Sequence, residues 1–268
     1  MENKKKTKAA KDTEDKPYLN HRKRLRDRYV TAGLDSFSDH EILEYLLFYS
    51  IPRRDTKKIA YRVMKEFVSL HRVFEASADE IELRCEVSRN TAILLSSIGP
   101  LFRRYELNKW GKHPSFDSTE TLGEYIKCLF IGASVEWFYI ICFNNRLKLI
   151  ASERIAEGAV DHVTLYLSEV IRRASVLRPS FMVMAHNHPS GDLNISELDY
   201  TVTKEIMNGL MGIGVNLLDH YIVAGDDYDA FSERKILGLI GVEGALKAKK
   251  EVNNEFAKKK MSKADNAP

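Results

Sequence analysis

The sequence predicts a mixed α/β (α+β) protein, in which an N-terminal helical domain precedes a domain with a central β-sheet flanked by helices. In the first half, apolar residues recur at helical spacing: Ile42, Leu43 and Leu46 share one face of "DSFSDHEILEYLLFYS". In the second half, β-rich runs such as "EWFYIICF" alternate with helical runs such as "VTLYLSEVIRRASVL". Such interleaving is typical of a sheet covered by helices.

Amphipathic segments predict the helical domain, which we expect over residues 17–111. The segment "DSFSDHEILEYLLFYS" has Ser36 or Ser38 as a candidate N-cap. It is followed by "DTKKIAYRVMKEFVSLHRVFEAS" and by "NTAILLSSIGPLFRRYEL". The pair Gly99-Pro100 interrupts the last of these, because proline removes a backbone donor from a helix.

The stretch "GKHPSFDSTET" is rich in turn formers, so we place a linker at residues 112–121 and the second domain at 122–242. That domain begins with a helix near 122–130, and "EWFYIICF" and "RLKLIASERI" then predict a hairpin around "NN". The helix "VTLYLSEVIRRASVL", the buried strand "SFMVMAH", the helix "SELDYTVTKEIMNGLMGIG" and the strand "VNLLDHYIVAG" complete it.

Composition indicates an ordinary cytoplasmic protein without membrane contact. No apolar run approaches the ~20 residues that span a bilayer. The N-terminus "MENKKKTKAAKDTEDK" lacks the apolar middle of a signal peptide. Cys85, Cys128 and Cys142 have no Cys-x-x-Cys spacing, which argues against a disulfide framework or a cysteine-ligated zinc.

Positive charge is concentrated at both ends. Residues 1–28 hold eleven Lys or Arg against five Asp or Glu, in a chain of net charge +3. We expect a disordered basic arm at 1–16 and a disordered lysine-rich tail at 243–268. Such arms, and the cluster "HRKRLRDR" at 21–28, are either solvated surface or a means of non-specific nucleic-acid contact through phosphates.

The stretch "FMVMAHNHPSGDLNISELDY" carries the chemistry. Successive side chains of a strand point to opposite faces, so His186 and His188 project to the same side at the end of an apolar run. Gly191 helps to turn the chain, and Ser196 and Asp199 then share a face of the next helix. Two imidazoles and a carboxylate suit Zn²⁺ and leave a fourth position open, as in catalytic zinc sites.

Structural interpretations of the same residues compete with a metal site. Ser196 and Asp199 form the spacing of a capping box, and a single strand histidine is commonly a satisfied core residue. The conjunction of the paired histidines, the glycine turn and the aspartate favours one Zn²⁺ per chain.

These residues also carry a resemblance. "HNHPSGDLNISELD" is similar to the H-x-H-P-x6-S-x2-D signature of the JAMM (MPN-type) metalloprotease domain. Together with "LLDHYIVAG", it resembles the RadC family of bacterial proteins. The helical half, "HRKRLRDRYVTAGLDSFSDHEILEYLLFYSIPRRDTKKIAYRVMKEFVSL", resembles the helical domain that precedes the JAMM domain in that family, a helix-hairpin-helix region.

The resemblance implies roles for particular residues. His186, His188 and Asp199 would ligate zinc, and Ser196 would hydrogen-bond the oxyanion. An upstream glutamate would act as the general base on the water; the position that corresponds is Glu136, just before the first apolar strand. Two other carboxylates compete with it for that role: Glu153 and Glu169.

Two functions follow from the resemblance. The first is a zinc-dependent hydrolase that cleaves a peptide or isopeptide bond in a peptide or protein substrate. The second is a non-enzymatic, DNA-associated or adaptor protein of DNA repair or recombination, since a fold does not dictate a function. The segment "IELRCEVSRNTAILL" lacks the Gly-x-Gly hairpin that would cradle a DNA phosphate, which counts against DNA binding at that element.

Overall fold

The computed structural model describes residues 17–158 and 163–264, and it confirms the predicted mixed α/β architecture. The chain divides into two compact units between Ser97 and Ile98. The predicted basic arm at 1–16 lies outside the described residues. No helix in the described part of the chain is long and apolar enough to cross a membrane.

The first unit is helical. Its α-helices are α1 (Pro17–Ala32), α2 (Asp39–Ser50), α3 (Lys57–Phe67), α4 (Leu70–Glu75), α5 (Ala78–Cys85) and α6 (Arg89–Ser96). Ser38, one of the two candidate N-caps, begins α2 in a capping box with Glu41. Leu43 and Leu47 of α2 are fully buried in the core of this unit, and burial of each contributes about 2 kcal/mol.

The second unit surrounds one five-stranded sheet. Its helices are α7 (Ile98–Lys109), α8 (Thr119–Leu129), α9 (Val163–Leu177), α10 (Glu197–Gly212) and α11 (Gly241–Ala264). Its strands are β1 (Trp137–Phe143), β2 (Leu149–Glu157), β3 (Phe181–Asn187), β4 (Asn216–Ala224) and β5 (Asp227–Ala230).

The strand order is β2-β1-β3-β4-β5. The predicted hairpin is confirmed, since β1 pairs antiparallel with β2, and β1 also pairs antiparallel with β3. The pair β3 and β4 is parallel, so α10 serves as the crossover between them.

Both faces of the sheet are buried, which explains the continuous apolar run in β1. Ile141 and Phe143 of β1 belong to one core with residues of α8 and α11. Phe138 and Ile140 belong to a second core with residues of α9 and α10. On β3, Met184 lies in this second core, so His186, two residues further on, points to the same face.

Two boundaries differ from expectation. The prediction of a disordered C-terminal tail is wrong for the described part, where α11 extends to Ala264. Val242 and Ala245 at its start are buried against the sheet, and this anchors the helix ahead of its lysines. The split after Ser97 precedes the predicted linker because α7 packs with α8. The predicted boundaries of the helical domain, 17–111, and of the metal-binding domain, 122–242, remain predictions.

The buried Asp219 on β4 should make the free energy of unfolding of the protein depend on pH. Its Oδ1 accepts hydrogen bonds from the amides of His220 (2.8 Å) and Ser232 (2.9 Å), but the carboxyl is fully buried. Burial raises its pKa to about 6, and the hydrogen bonds from Ser232 oppose this only in part. The folded state therefore holds this proton more tightly than the unfolded state, and stability is lost as the pH rises through about 4 to 6.

In Asp219→Asn the group cannot ionise, so the penalty of about 3 kcal/mol above pH 6 should disappear. The free energy of unfolding of the variant minus that of wild type should increase by about that amount from pH 3 to pH 7. The substitution also removes hydrogen bonds of the Asp219 carboxylate. This loss lowers the free energy of unfolding of the variant by an amount that does not vary with pH. Denaturant titrations at both pH values measure the difference, and a constant difference would contradict the assignment.

Candidate metal centre

His186 and His188 lie at the carboxyl end of β3, on the α10 side of the sheet. Both are on the same face, as the alternation of the strand predicts. Because the strand alternates, the intervening Asn187 points to the opposite face. His186 is 2% exposed, whereas His188 is 19% exposed and faces outward at the strand end. The pair therefore has one buried member and one member accessible from solvent.

The turn after β3 orients His188. Gly191 has φ +83°, a left-handed conformation that glycine adopts without a steric penalty. Its amide donates to the carbonyl of His188 at 3.1 Å. The carbonyl of Asp192 lies 2.6 Å from His188 Nδ1. A carbonyl only accepts, so Nδ1 carries the proton and Nε2 keeps its lone pair.

The first turn of α10 orients Asp199. Ser196 is the N-cap, and its Oγ accepts from the Asp199 amide at 3.1 Å. Asp199 Oδ2 in turn accepts from the amide (2.8 Å) and hydroxyl (2.7 Å) of Ser196. The capping box is thus present, and it leaves Oδ1 of the same carboxylate directed at the histidines.

The three side chains converge. His186 Nε2 lies 2.9 Å from His188 Nε2 and 3.1 Å from Asp199 Oδ1, and His188 Nε2 lies 3.8 Å from Asp199 Oδ2. Zinc bonds of about 2.0–2.2 Å in a tetrahedron separate ligand atoms by about 3.3–3.6 Å. The cluster is therefore the size of a zinc site, and it is the one group of three such residues found in the described chain.

Charge in the cluster favours a cation. Burial works to raise the pKa of Asp199, but the facing imidazole of His186 and the hydrogen bonds from Ser196 outweigh it and lower the pKa well below its usual range. The carboxylate is therefore ionised at neutral pH. An anion beside closely spaced imidazole nitrogens is the donor set that zinc prefers.

Glu136 precedes β1 at the same end of the sheet. In the antiparallel register, Phe138 and His186 form the last pair at this end of the two strands. The Asn187 side chain accepts from the Trp137 amide at 2.7 Å and donates to the Val135 carbonyl at 3.1 Å. These bonds fix the backbone on both sides of Glu136. An extension of this register by two residues would set Glu136 against His188.

The competing carboxylates have cationic partners. Arg173 contacts Glu153 Oε2 at 3.1 Å and Glu169 Oε1 at 3.0 Å. Hydrogen bonds from Arg172 and Arg173 lower the pKa of Glu169 to about 2. Among the described residues, the Glu136 side chain has no hydrogen bond or ion pair. Its half-buried carboxylate is therefore available to other partners.

Sequence reasoning assigned no role to His220 or Thr203, which lie behind the ligands. His220 Nε2 is 2.8 Å from His186 Nδ1, and His220 Nδ1 is 2.6 Å from Thr203 Oγ1. His220 is 1% exposed, and burial, reinforced by the nearby His186, lowers its pKa well below the usual value. The ring is therefore neutral. A histidine within the apolar run "LLDHYIV" was the available signal.

Comparison with known proteins identifies the family. Residues 116–236 match the RadC-like JAB domain. A UPF0758 protein of Fusobacterium nucleatum is 31% identical over 234 residues, which cover 83% of this chain and 99% of that protein. A UPF0758 protein of Ruegeria pomeroyi is 33% identical over 203 residues, covering 76% of this chain and 91% of the relative. A third, from Rhodobacter capsulatus, is 31% identical over 199 residues, covering 74% and 93%.

The matched segment contains the whole histidine and aspartate cluster, and the similarity to the Fusobacterium protein covers enough of the chain to extend into the helical half. The chain therefore belongs to the RadC family of UPF0758 proteins, which carry a RadC-like JAB domain of the JAMM/MPN superfamily.

Proposed function

We propose that this protein is a zinc-dependent hydrolase that cleaves a peptide or isopeptide bond in a peptide or protein substrate. The observation that carries the proposal is the convergence of His186 Nε2, His188 Nε2 and the Asp199 carboxylate within 2.9–3.8 Å. Three protein ligands with one side open to solvent are typical of catalytic rather than structural zinc sites.

His186, His188 and Asp199 would hold the ion, whose Lewis acidity lowers the pKa of a water molecule toward ~7. Glu136, just before β1 at the same end of the sheet as the histidines, would accept the water's proton and return it to the leaving amine. The Ser196 hydroxyl would donate to the oxyanion that forms on the substrate carbonyl. To do so, it would exchange its present hydrogen bond to Asp199 Oδ2.

The test combines metal analysis with a substrate screen. The purified protein should contain one zinc per chain, and zinc-loaded protein should cleave a member of a peptide and isopeptide library. A chelator should abolish the cleavage, and added zinc should restore it. Cleavage that persists after complete metal removal would refute the proposal.

The cytoplasm is the proposed location. The three cysteines are unpaired thiols, and free thiols are maintained in a reducing compartment.

Nucleic-acid association is a second candidate, favoured by the exposed face of α1. Much of the basic cluster is structural: the buried Arg22 donates to the Ile51 carbonyl at 2.7 Å, and Arg28 pairs with Glu41 at 2.8 Å. Lys23, Arg24 and Arg26 are exposed and have no ion pair among the described residues. Such a face could serve a DNA-associated or DNA-repair role.

The turn between α5 and α6 does not supply the missing phosphate cradle. Glu86 occupies its left-handed position with φ +48°, so a carboxylate lies where a glycine would approach a phosphate. We therefore assign any nucleic-acid contact to the basic cluster on α1 and to the lysine-rich segments of the chain.

We expect salt-sensitive binding with little sequence preference. Each phosphate neutralised contributes about −0.9 to the slope of log K against log salt. Replacing Lys23, Arg24 and Arg26 together by Gln should therefore make the slope shallower by up to about 3. Filter binding of duplex DNA at several salt concentrations measures it. Absence of binding at low salt would leave this face without a nucleic-acid partner.

A further inference from the structure

We infer that His220 and Thr203 are positioning residues that hold His186 in the tautomer whose Nε2 is bare and able to bind the metal. The inference rests on the metal site of the proposed function and adds two residues to it. His186 is the ligand concerned because its Nδ1 faces His220 rather than a carbonyl, so its own tautomer is set by a neighbour.

The direction of each hydrogen bond follows from the Thr203 end. Thr203 Oγ1 lies 2.5 Å from the Asp199 carbonyl, which can only accept, so the single hydroxyl proton is on that bond. Thr203 Oγ1 must then accept from His220, 2.6 Å away, and the His220 proton is on Nδ1. His220 is 1% exposed and packs between Phe138 and Phe231, so with its one proton on Nδ1 its Nε2 accepts from His186 Nδ1 at 2.8 Å, and Nε2 is the His186 nitrogen left to bind the metal.

Burial prevents this chain of bonds from exchanging partners with solvent. His220 and Thr203 are 1% and 0% exposed. The ring of His220 packs against Phe138 on one side, with centroids 6.0 Å apart, and against Phe231 at 4.9 Å. Neither aromatic ring can replace a lost hydrogen bond. Loss of one residue from this series of hydrogen bonds therefore reverses the direction of the remaining bonds or breaks them.

The same series of hydrogen bonds also connects two of the proposed metal ligands, His186 and Asp199. It begins at His186 on β3, crosses to His220 on the parallel neighbour β4, and ends through Thr203 at the Asp199 carbonyl on α10. Outer groups that hydrogen-bond a metal-binding histidine fix its tautomer and raise its basicity. Here that group is a neutral histidine rather than a carboxylate or carbonyl, so the threonine hydroxyl must set the proton's position.

The test compares Thr203→Val with Thr203→Ser in the full-length protein. Valine matches threonine in shape but cannot accept from His220, which can then donate from Nε2 to His186 and force a proton onto the metal-binding nitrogen. We expect zinc affinity, measured by competition with a chromophoric chelator, to fall about 10–100-fold in Thr203→Val. Thr203→Ser retains the hydroxyl and should bind zinc close to wild type.

Equal zinc affinity in wild type and Thr203→Val would overturn the inference. Equal losses in both variants would also overturn it, since packing rather than the hydroxyl would then be responsible. Nitrogen-15 NMR of the metal-free wild-type protein gives a readout that needs no variant: His220 should carry its proton on Nδ1. A proton on the His220 Nε2 that faces His186 would refute the inference.

These readouts are separable from the proposed function. A wild-type protein that binds zinc but cleaves nothing would refute the hydrolase and leave the positioning role intact. A wild-type protein that binds no zinc would refute the hydrolase, and the NMR measurement would still decide the tautomer. Full hydrolysis together with the opposite His220 tautomer would refute only the positioning role.

Discussion

Replacing Glu136 by Gln is expected to lower hydrolysis of any substrate found about 10²–10⁴-fold, the usual contribution of a general base. Glutamine has the same shape but cannot take the proton from water. Zinc content and melting temperature should stay near wild type, because Glu136 is not among the clustered side chains that could hold a metal. Its carboxylate also forms no ion pair with the described residues, so the substitution breaks none.

Glu153→Gln and Glu169→Gln are the matched controls. Each removes a partner of Arg173 that is about one third exposed, and such surface pairs contribute about 0–1 kcal/mol. Both variants should keep zinc and turnover. Loss of turnover in either control, with Glu136→Gln fully active, would place the base elsewhere. Full turnover in all three variants would show that none of these carboxylates is the general base.

The sequence was informative about the three candidate metal ligands because they lie close together along the chain. His186 and His188 share one strand face by alternation alone, and Asp199 lies one turn into the next helix. A single turn therefore connects all three, and few backbone arrangements could separate them. Glu136 required more, since it lies at the same end of the sheet as His186 only because β1 pairs antiparallel with β3. The family resemblance supplied that position before any register was known.

His220 and Thr203 could not be placed by local reasoning. His220 reaches His186 across 34 positions in sequence, and the contact exists because β4 pairs in parallel with β3. A buried histidine also has an ordinary structural explanation, so its residue type does not reveal its partner. The C-terminal helix was missed for a related reason: Val242 and Ala245 are few among many lysines, and their burial depends on the sheet beneath them.

One zinc ion per chain is expected, and His186→Ala should weaken zinc binding by at least about 100-fold. Loss of a ligand should exceed the 10–100-fold effect of losing an outer hydrogen-bond partner, because only His188 and Asp199 would remain from the cluster. Metal analysis after dialysis measures the change. His113→Ala is the control, since His113 is an exposed histidine of the same unit outside the cluster.

Stability gives an independent measurement of the same site. Free zinc at about 1,000 times its Kd should stabilise the native protein by about 4 kcal/mol, because it binds the folded state preferentially. A chelator should therefore lower the melting temperature of wild type and of His113→Ala, and it should have a much smaller effect on His186→Ala, because a 100-fold weaker site retains at most about 1.4 kcal/mol of this stabilisation. Zinc content near one per chain in His186→Ala, with the same sensitivity to chelator as wild type, would show that the metal is held elsewhere.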